Sequence, residues 1–307
     1  MTLANASFQN TFCSTLSLQA GEDLFATATR TDVYLLLEYN DPWGAKAFEE
    51  SELPESIKAH LSAALESLPY AKILLIRSRP GIREPGTSFF IARVTENDPI
   101  LYAFQLEDYQ DLLSLDPLEV LSGSQAYASY RAKEPLFLVC TNGRRDACCA
   151  KLGLPVYAEM SKTGADSVWQ CTHLGGHRFA GNLLCFPHGI LYGRMRPGDA
   201  GRILKTYRRG EIELEHYRGR ACYEESVQAA DYYLRRETNC LGLDDFRLIE
   251  AREISPDQWE VQFESRQNGK IHRLSLSAER SEARIYTSCK PDKLSSPVHY
   301  RLIEYKA

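Results

Sequence analysis

One stretch decides the fold: residues 136–150 read Leu-Phe-Leu-Val-Cys-Thr-Asn-Gly-Arg-Arg-Asp-Ala-Cys-Cys-Ala. The apolar run from Leu136 to Cys140 is typical of a buried strand. Asp146 stands where a helix N-cap belongs, so Cys148 and Cys149 fall in the first helical turn. The segment therefore predicts a strand that leads through a short turn into a helix.

The same order of strand and helix occurs on both sides of this stretch. Upstream, helical spacing predicts a helix over 53–68 and apolar runs predict strands over 33–38, 71–77, 88–94 and 100–105. Downstream, Gly153 and Pro155 predict an early end to the helix. The pattern then predicts a strand near 167–171, a hairpin of 182–186 with 190–195, and helices over 199–208 and 221–237. Two related α/β modules follow, each a mixed sheet flanked by helices.

The pattern changes after Cys240. Trp259, Val261 and Phe263 alternate with polar residues, and Asn268-Gly269 is a strong hairpin signal. An antiparallel β extension is predicted, with domain bounds of 1–132, 133–239 and 240–307.

Composition narrows the class of protein. The chain has 307 residues, 44% of them hydrophobic, and a formal charge of −5, which disfavours nucleic acid as a partner. The apolar runs are too short for a membrane span, and the first 18 residues lack the pattern of a secretory signal. We therefore expect a cytoplasmic protein. Its nine cysteines, an odd number, are then expected to be thiols or metal ligands.

Cysteines and histidines are concentrated in the second module. A helix start and the neighbouring Arg144 and Arg145 favour thiolates at Cys148 and Cys149.

Two histidines follow in the segment His173-Leu-Gly-Gly-His177. Two glycines weaken a helix, so a loop that turns both imidazoles toward one centre is predicted. Two cysteines and two histidines suit zinc or an iron–sulfur cluster, and the wide Cys140–Cys149 spacing favours the cluster.

The sequence also resembles a known family. The motifs are Leu-Leu-Leu-Glu…Pro-Trp-Gly within 35–44, the Cys140–Cys149 segment, His-Leu-Gly-Gly-His-Arg-Phe-Ala over 173–180, and Tyr-Gly-Arg at 192–194. Together they are similar to the sucrase/ferredoxin-like family over about residues 10–238. The resemblance implies that the C-terminal half of the matched region is a thioredoxin-like ferredoxin. We therefore expect two thioredoxin-like modules, a degenerate one over 1–132 and one over 133–239 that carries the metal site.

That resemblance implies a [2Fe–2S] cluster with Cys140, Cys149, His173 and His177 as ligands. The family has a variable residue where Cys148 stands, and we choose Cys149 of the adjacent pair. The implied function is a one-electron carrier that serves an unidentified redox partner protein, rather than an enzyme with its own substrate. Neutral imidazoles in place of two thiolates would raise the potential above that of plant-type ferredoxins.

Two alternatives stay open. The first is a structural zinc protein that uses the two cysteines and two histidines and binds a partner. The second is a thiol–disulfide oxidoreductase using Cys140, Cys148 or Cys149, although no Cys-x-x-Cys pair is present. The basic residues between 194 and 209 are interpreted as a solvated helix face, with docking of an acidic partner as the rival interpretation. The six other cysteines are predicted to be ordinary thiols.

Overall fold

The fold is organised around a mixed sheet of nine strands. The computed structural model describes residues 12–78, 86–164, 167–290 and 294–307. The strands of this sheet are β1 (Val33–Glu38), β2 (Ala71–Arg77), β3 (Thr87–Arg93), β4 (Ile100–Leu106), β5 (Leu136–Cys140), β6 (Val168–Cys171), β7 (Leu183–Phe186), β8 (Ile190–Tyr192) and β9 (Tyr217–Arg220). Residues 1–11 and most of the Gly/Pro-rich connection before β3 lie outside the described residues, as does part of the stretch considered for a secretory signal.

Six α-helices accompany these strands in the described part of the chain. They are α1 (Cys13–Gln19), α2 (Glu55–Ser67), α3 (Pro117–Leu121), α4 (Ala147–Thr163), α5 (Ala200–Arg208) and α6 (Glu225–Thr238). Short 3-10 helices lie at Tyr109–Ser114, Gln125–Tyr130, His177–Phe179 and Pro197–Asp199. Among the described helices, none is long and apolar enough to cross a bilayer.

The predicted repetition is visible in the strand pairing. In the first half β1 is parallel to β2 and antiparallel to β3, which pairs with β4. In the second half β5 is parallel to β6 and antiparallel to β7, which pairs with β8. The mixed α/β fold class is confirmed. The two sets of strands, however, form one sheet, because β2 pairs with β6 through Ile76↔Cys171 and Arg77↔Gln170.

One apolar core is shared between the two halves. Every residue of β1 and β5 is buried, as expected for strands that are covered on both faces. Buried side chains of both halves meet in this core: Tyr34, Leu36, Leu74, Ile76, Leu138, Cys140, Cys149, Cys171, Leu184 and Leu191. The predicted boundary near residue 133 therefore falls between strands of a continuous sheet.

Helix α4 is longer than predicted. It runs 17 residues and continues through Gly153 and Pro155 to Thr163, with Gly164 as its C-cap. Pro155 is exposed, so water can bond the carbonyl group that its missing N–H leaves unpaired. At Gly153 a Cβ atom would lie 2.1 Å from the carbonyl oxygen of Cys140. Gly153 thus allows α4 to approach β5 closely and does not end the helix.

The antiparallel extension is confirmed. Its strands β10 (Phe246–Ser255), β11 (Gln258–Ser265), β12 (Ile271–Arg280) and β15 (Val298–Lys306) form one sheet, and β13 (Ile285–Tyr286) with β14 (Leu294–Ser295) forms a short ribbon. Gly269, with φ +71°, lies in the predicted turn between β11 and β12. The sheet packs on α6, where the Tyr233 hydroxyl donates to the Tyr300 carbonyl at 2.7 Å.

Candidate metal centre

Cys140 lies at the carboxyl end of β5. Its neighbour in the parallel register is Cys171, the last residue of β6, so both strands end at the same edge of the sheet. The Thr141 N–H donates to the Cys171 carbonyl at 3.1 Å and extends this pairing by one residue. The edge places the end of β5 beside the loop that leaves β6, which begins with Thr172 and His173.

Helix α4 brings Cys149 to the same edge. The predicted cap is confirmed, because the Asp146 carboxylate accepts the Cys148 N–H at 3.0 Å and the Asp146 carbonyl accepts the Cys149 N–H at 3.0 Å. Consecutive helical side chains point about 100° apart, so Cys148 and Cys149 face different surroundings. Cys149 faces the Cys140 side and Cys148 faces α1.

The two histidines lie on a loop, as predicted, and His177 begins a 3-10 turn. Gly175 has φ +98° and Gly176 has φ +66°, values that suit glycine. The space is also closed to a side chain, since a Cβ atom would lie 2.3 Å from Thr29 Oγ1 at Gly175 and 2.5 Å from Arg218 Nη2 at Gly176. The Gly-Gly pair is therefore required by backbone conformation and by close packing.

Arg218, which lies in none of the predicted site motifs, holds this loop. It is buried on β9 and donates to the Gly175 carbonyl at 3.1 Å and to Asn182 Oδ1 at 2.9 Å. Asn182 Nδ2 in turn donates to the Gly176 carbonyl at 3.0 Å. No local pattern indicated this role, because Arg218 follows the loop by about 40 residues.

These elements bring three of the four predicted ligands together, and the fourth, His177, lies beside His173 outside that group. One sulfur atom each from Cys140 and Cys149 and one ring nitrogen of His173 all lie within 4.8 Å of one another. Cys149 Sγ is 3.9 Å from His173 Nδ1. The His177 ring stacks on that of His173 with centroids 4.4 Å apart. Its Nδ1 atom is buried and has no hydrogen-bond partner among the described residues, as expected of an atom free to bind a metal.

The protonation states suit ligation. A hydrogen bond from Cys149 holds the pKa of Cys140 well below its usual range, against the opposing effect of burial. The same contact, together with burial, raises the pKa of the Cys149 thiol. Burial and the neighbouring His173 lower the pKa of His177 to about 4, so its imidazole is neutral near pH 7. The directions of these shifts favour a thiolate at Cys140 and a neutral imidazole at His177, the forms in which these side chains bind metals.

Three further thiols form a second group beside the first. Cys13, Cys148 and Cys289 lie within hydrogen-bonding distance of one another, with Asp146 beside them. Hydrogen bonds from Cys13 and Cys289 lower the pKa of Cys148 to about 3. The prediction of ordinary thiols fits the buried Cys171 and Cys185, whose pKa burial raises, but Cys13 and Cys289 belong to this group.

Two of the basic residues near α5 form ion pairs with carboxylates of the same chain. Arg202 contacts Asp199, Glu213 and Glu215, and Arg209 contacts Glu211. These contacts favour the interpretation as a solvated helix face.

Arg178, next to His177, has a partner of its own. Its guanidinium pairs with the buried carboxylate of Glu22 at 2.8 Å. This ion pair connects the histidine loop to the segment that follows α1.

The fold is a mixed α/β sheet, and at one edge of it cysteine and histidine side chains that could hold a metal ion converge. The sucrase/ferredoxin-like family model matches residues 24–219, well over half of the chain, and the chain belongs to that family. It is 34% identical over 102 residues to "Altered inheritance of mitochondria protein 32" of Meyerozyma guilliermondii, an overlap of 28% of this chain and 34% of that protein. It is 36% identical over 95 residues to the protein of the same name from Debaryomyces hansenii, covering 27% and 35%. The chain thus spans about a third of the length of these curated relatives.

Proposed function

We propose that the protein is a one-electron carrier with a [2Fe–2S] cluster bound by Cys140, Cys149, His173 and His177. The observation that carries this proposal is the convergence of two thiol sulfurs and one imidazole nitrogen, with the His177 ring stacked on His173 and its Nδ1 atom buried without a partner among the described residues. Two cysteines and two histidines are a ligand set that two-iron clusters use. When bound, such a cluster takes up and releases one electron at a time.

The chain's own residues would prepare this site. The first turn of α4 places backbone N–H groups and the positive end of the helix dipole beside Cys149, which favours negative charge on sulfur. The loop held by Arg218 and Asn182 orients the imidazoles without placing a charge on His177. The fit between these donors and the cluster is therefore chemical as well as spatial.

The unequal exposure of the ligands bears on electron transfer. Cys140 and Cys149 are 1% and 0% exposed, whereas both histidines are half-buried. An unidentified redox partner protein would thus approach from the histidine side, where the path to the cluster is shortest. We further propose that the protein works in a reducing compartment such as the cytoplasm, because thiols must stay reduced to act as ligands.

The test is the cofactor content of the full chain purified anaerobically. We expect about two irons and two sulfides per chain and a coloured, reducible chromophore. His173→Ala and Cys140→Ala should lose or alter the chromophore. Cys171→Ala is the matched control, since Cys171 is equally buried and pairs with Cys140 but belongs to neither ligand group. A colourless protein that takes up no iron or sulfide would overturn the proposal.

A mononuclear zinc site is the second candidate for these residues. The observation in its favour is that Cys140, Cys149 and His173 already lie within the span of a single ion. One zinc per chain, without sulfide, that Cys140→Ala abolishes would establish this alternative.

The thiol–disulfide oxidoreductase is disfavoured by burial. Exchange requires a thiolate that another protein's disulfide can reach. The sulfur atoms of Cys140 and Cys149 belong to almost fully buried residues, and Cys148 is 0% exposed.

A further inference from the structure

A second group of potential metal ligands lies on the other side of the α4 N-terminus. It consists of Cys13 from α1, Cys148 from α4, Cys289 from the loop between β13 and β14, and Asp146 at the α4 cap. The sulfur–sulfur distances are 3.5 Å for Cys13–Cys148, 3.2 Å for Cys148–Cys289 and 3.6 Å for Cys289–Cys13. Three thiols from remote parts of the chain thus form a nearly equilateral triangle.

The triangle is too wide for a disulfide and close to the size that a tetrahedral metal requires. Bonded sulfurs are about 2.05 Å apart. Thiolates bound to zinc at about 2.3 Å lie roughly 3.8 Å from one another in a tetrahedron. Each of the three distances has to grow by only a few tenths of an ångström for all three sulfurs to bind one ion.

Asp146 supplies a fourth donor. Its Oδ1 is 3.9 Å from Cys13 Sγ, and its Oδ2 accepts the Cys289 N–H at 2.8 Å and the Ser288 hydroxyl at 3.1 Å. The carboxylate is 2% exposed, and its oxygen lies within 4.8 Å of all three sulfurs. A carboxylate held by two donors on Oδ2 keeps Oδ1 turned toward the thiols, which is how supporting contacts orient metal ligands.

We propose that Cys13, Cys148, Cys289 and Asp146 form a structural zinc site, distinct from the Cys140/Cys149/His173/His177 centre. A set of three thiolates with one oxygen ligand suits Zn²⁺, and a closed, buried tetrahedron is typical of structural sites. The ion would join α1 and the C-terminal extension to the start of α4, the helix that carries Cys149. The extension would then contribute a ligand, Cys289, in addition to covering α6.

This inference does not depend on the cluster proposal, and metal analysis separates the two. We expect one zinc per chain in protein from zinc-supplied cells, in addition to any iron. Cys289→Ser should lose the zinc and lower the thermal midpoint while leaving the iron content unchanged. Cys140→Ala should keep the zinc. Cys240→Ser is the matched control, because Cys240 is another half-buried thiol of the C-terminal region outside both groups, and it should change neither metal.

X-ray absorption at the zinc edge of the wild-type protein keeps the test independent of whether a variant folds. Three sulfurs and one oxygen in the coordination sphere would support the site. Two sulfurs with imidazole nitrogen would locate the zinc at the first centre and overturn the inference. Three other results would also overturn the inference. They are wild-type protein that binds no zinc on titration, Cys289→Ser protein that retains its zinc, and a disulfide among the three cysteines in protein whose free thiols are alkylated before denaturation.

Discussion

Cys148 and Cys149 are consecutive in the sequence, yet their sulfur atoms belong to two different groups of potential metal ligands. Cys149 Sγ lies 3.9 Å from His173 Nδ1, and Cys148 Sγ lies 3.5 Å from Cys13 Sγ. The rotation of about 100° per helical residue produces this division. The pair at the start of α4 therefore contributes one sulfur to each group, and Asp146 caps the helix between them.

The Gly-Gly pair of the histidine loop leads to the first prediction. Gly176→Ala should strain the backbone at φ +66° and press a Cβ atom against Arg218 Nη2, which is 2.5 Å from the Cβ position. A non-glycine residue at positive φ costs about 1–2 kcal/mol, before the steric contact is added. We expect a lower free energy of unfolding and reduced iron content, measured by urea denaturation and metal analysis. In the control Gly198→Ala, no heavy atom lies within 4 Å of the new Cβ, and both quantities should stay near wild type.

Arg218 leads to the second prediction. Arg218→Gln removes the hydrogen bonds to the Gly175 carbonyl and to Asn182 Oδ1 in a buried setting. Because the acceptors are left unpaired, we expect the free energy of unfolding to fall by about 3 kcal/mol. Equilibrium urea unfolding measures this loss. Arg236→Gln, at an exposed residue of α6, is the control and should change stability by less than about 0.5 kcal/mol. Equal effects of the two substitutions would contradict the role given to Arg218.

Gly201 in α5 leads to the third prediction, a gain of stability. The added Cβ of Gly201→Ala would meet nothing within 4 Å, and the residue has a helical setting. Alanine favours a helix interior over glycine by about 0.5–1 kcal/mol, partly by restricting the unfolded chain. The thermal midpoint should therefore rise by one to a few degrees in calorimetry, roughly as expected for a chain of this size. A fall in the thermal midpoint would contradict this prediction.

The pH dependence of stability gives the fourth prediction. Burial and the charge of Arg220 lower the pKa of His188 to about 4 from 6.5. Its neutral ring bonds the Tyr207 hydroxyl at 2.7 Å. Between pH 6.5 and 4 the unfolded chain binds a proton that the folded chain does not, so stability is lost as the pH falls through this window. We expect His188→Gln to reduce that loss by about 2 kcal/mol, allowing for partial exposure. Urea midpoints at about pH 7.5 and about pH 5 measure the difference, and an unchanged pH dependence would contradict it.

Local patterns in the sequence predicted the elements well and the long-range contacts poorly. The bounds of β2 and β5, the Asp146 cap and the turn at Asn268-Gly269 follow from residues that are neighbours in the chain. Two long-range contacts do not follow from neighbouring residues. One is the pairing of β2 with β6, and the other is the contact of Cys148 with Cys13, which lie 135 positions apart in the chain. Local periodicity carries no information on which remote segments pack together.

The last prediction follows from the shared sheet and concerns whether residues 133–239 can fold without the rest of the chain. The predicted ferredoxin module, residues 133–239, would lose β2 as the neighbour of β6 if it were expressed alone. It would also expose the core face that Tyr34, Leu36 and Leu74 cover in the full chain. Exposed strand edges and apolar surface promote aggregation, so we expect the fragment to be insoluble or to lack the dispersed NMR spectrum that is expected of the full chain. The control is the folded full chain cleaved by a protease between β4 and β5. Its two fragments should stay associated, because the β2–β6 pairing and the shared core do not depend on the peptide link between β4 and β5. A soluble fragment with dispersed amide signals would mean that the two halves fold independently and that the common core only joins them afterwards.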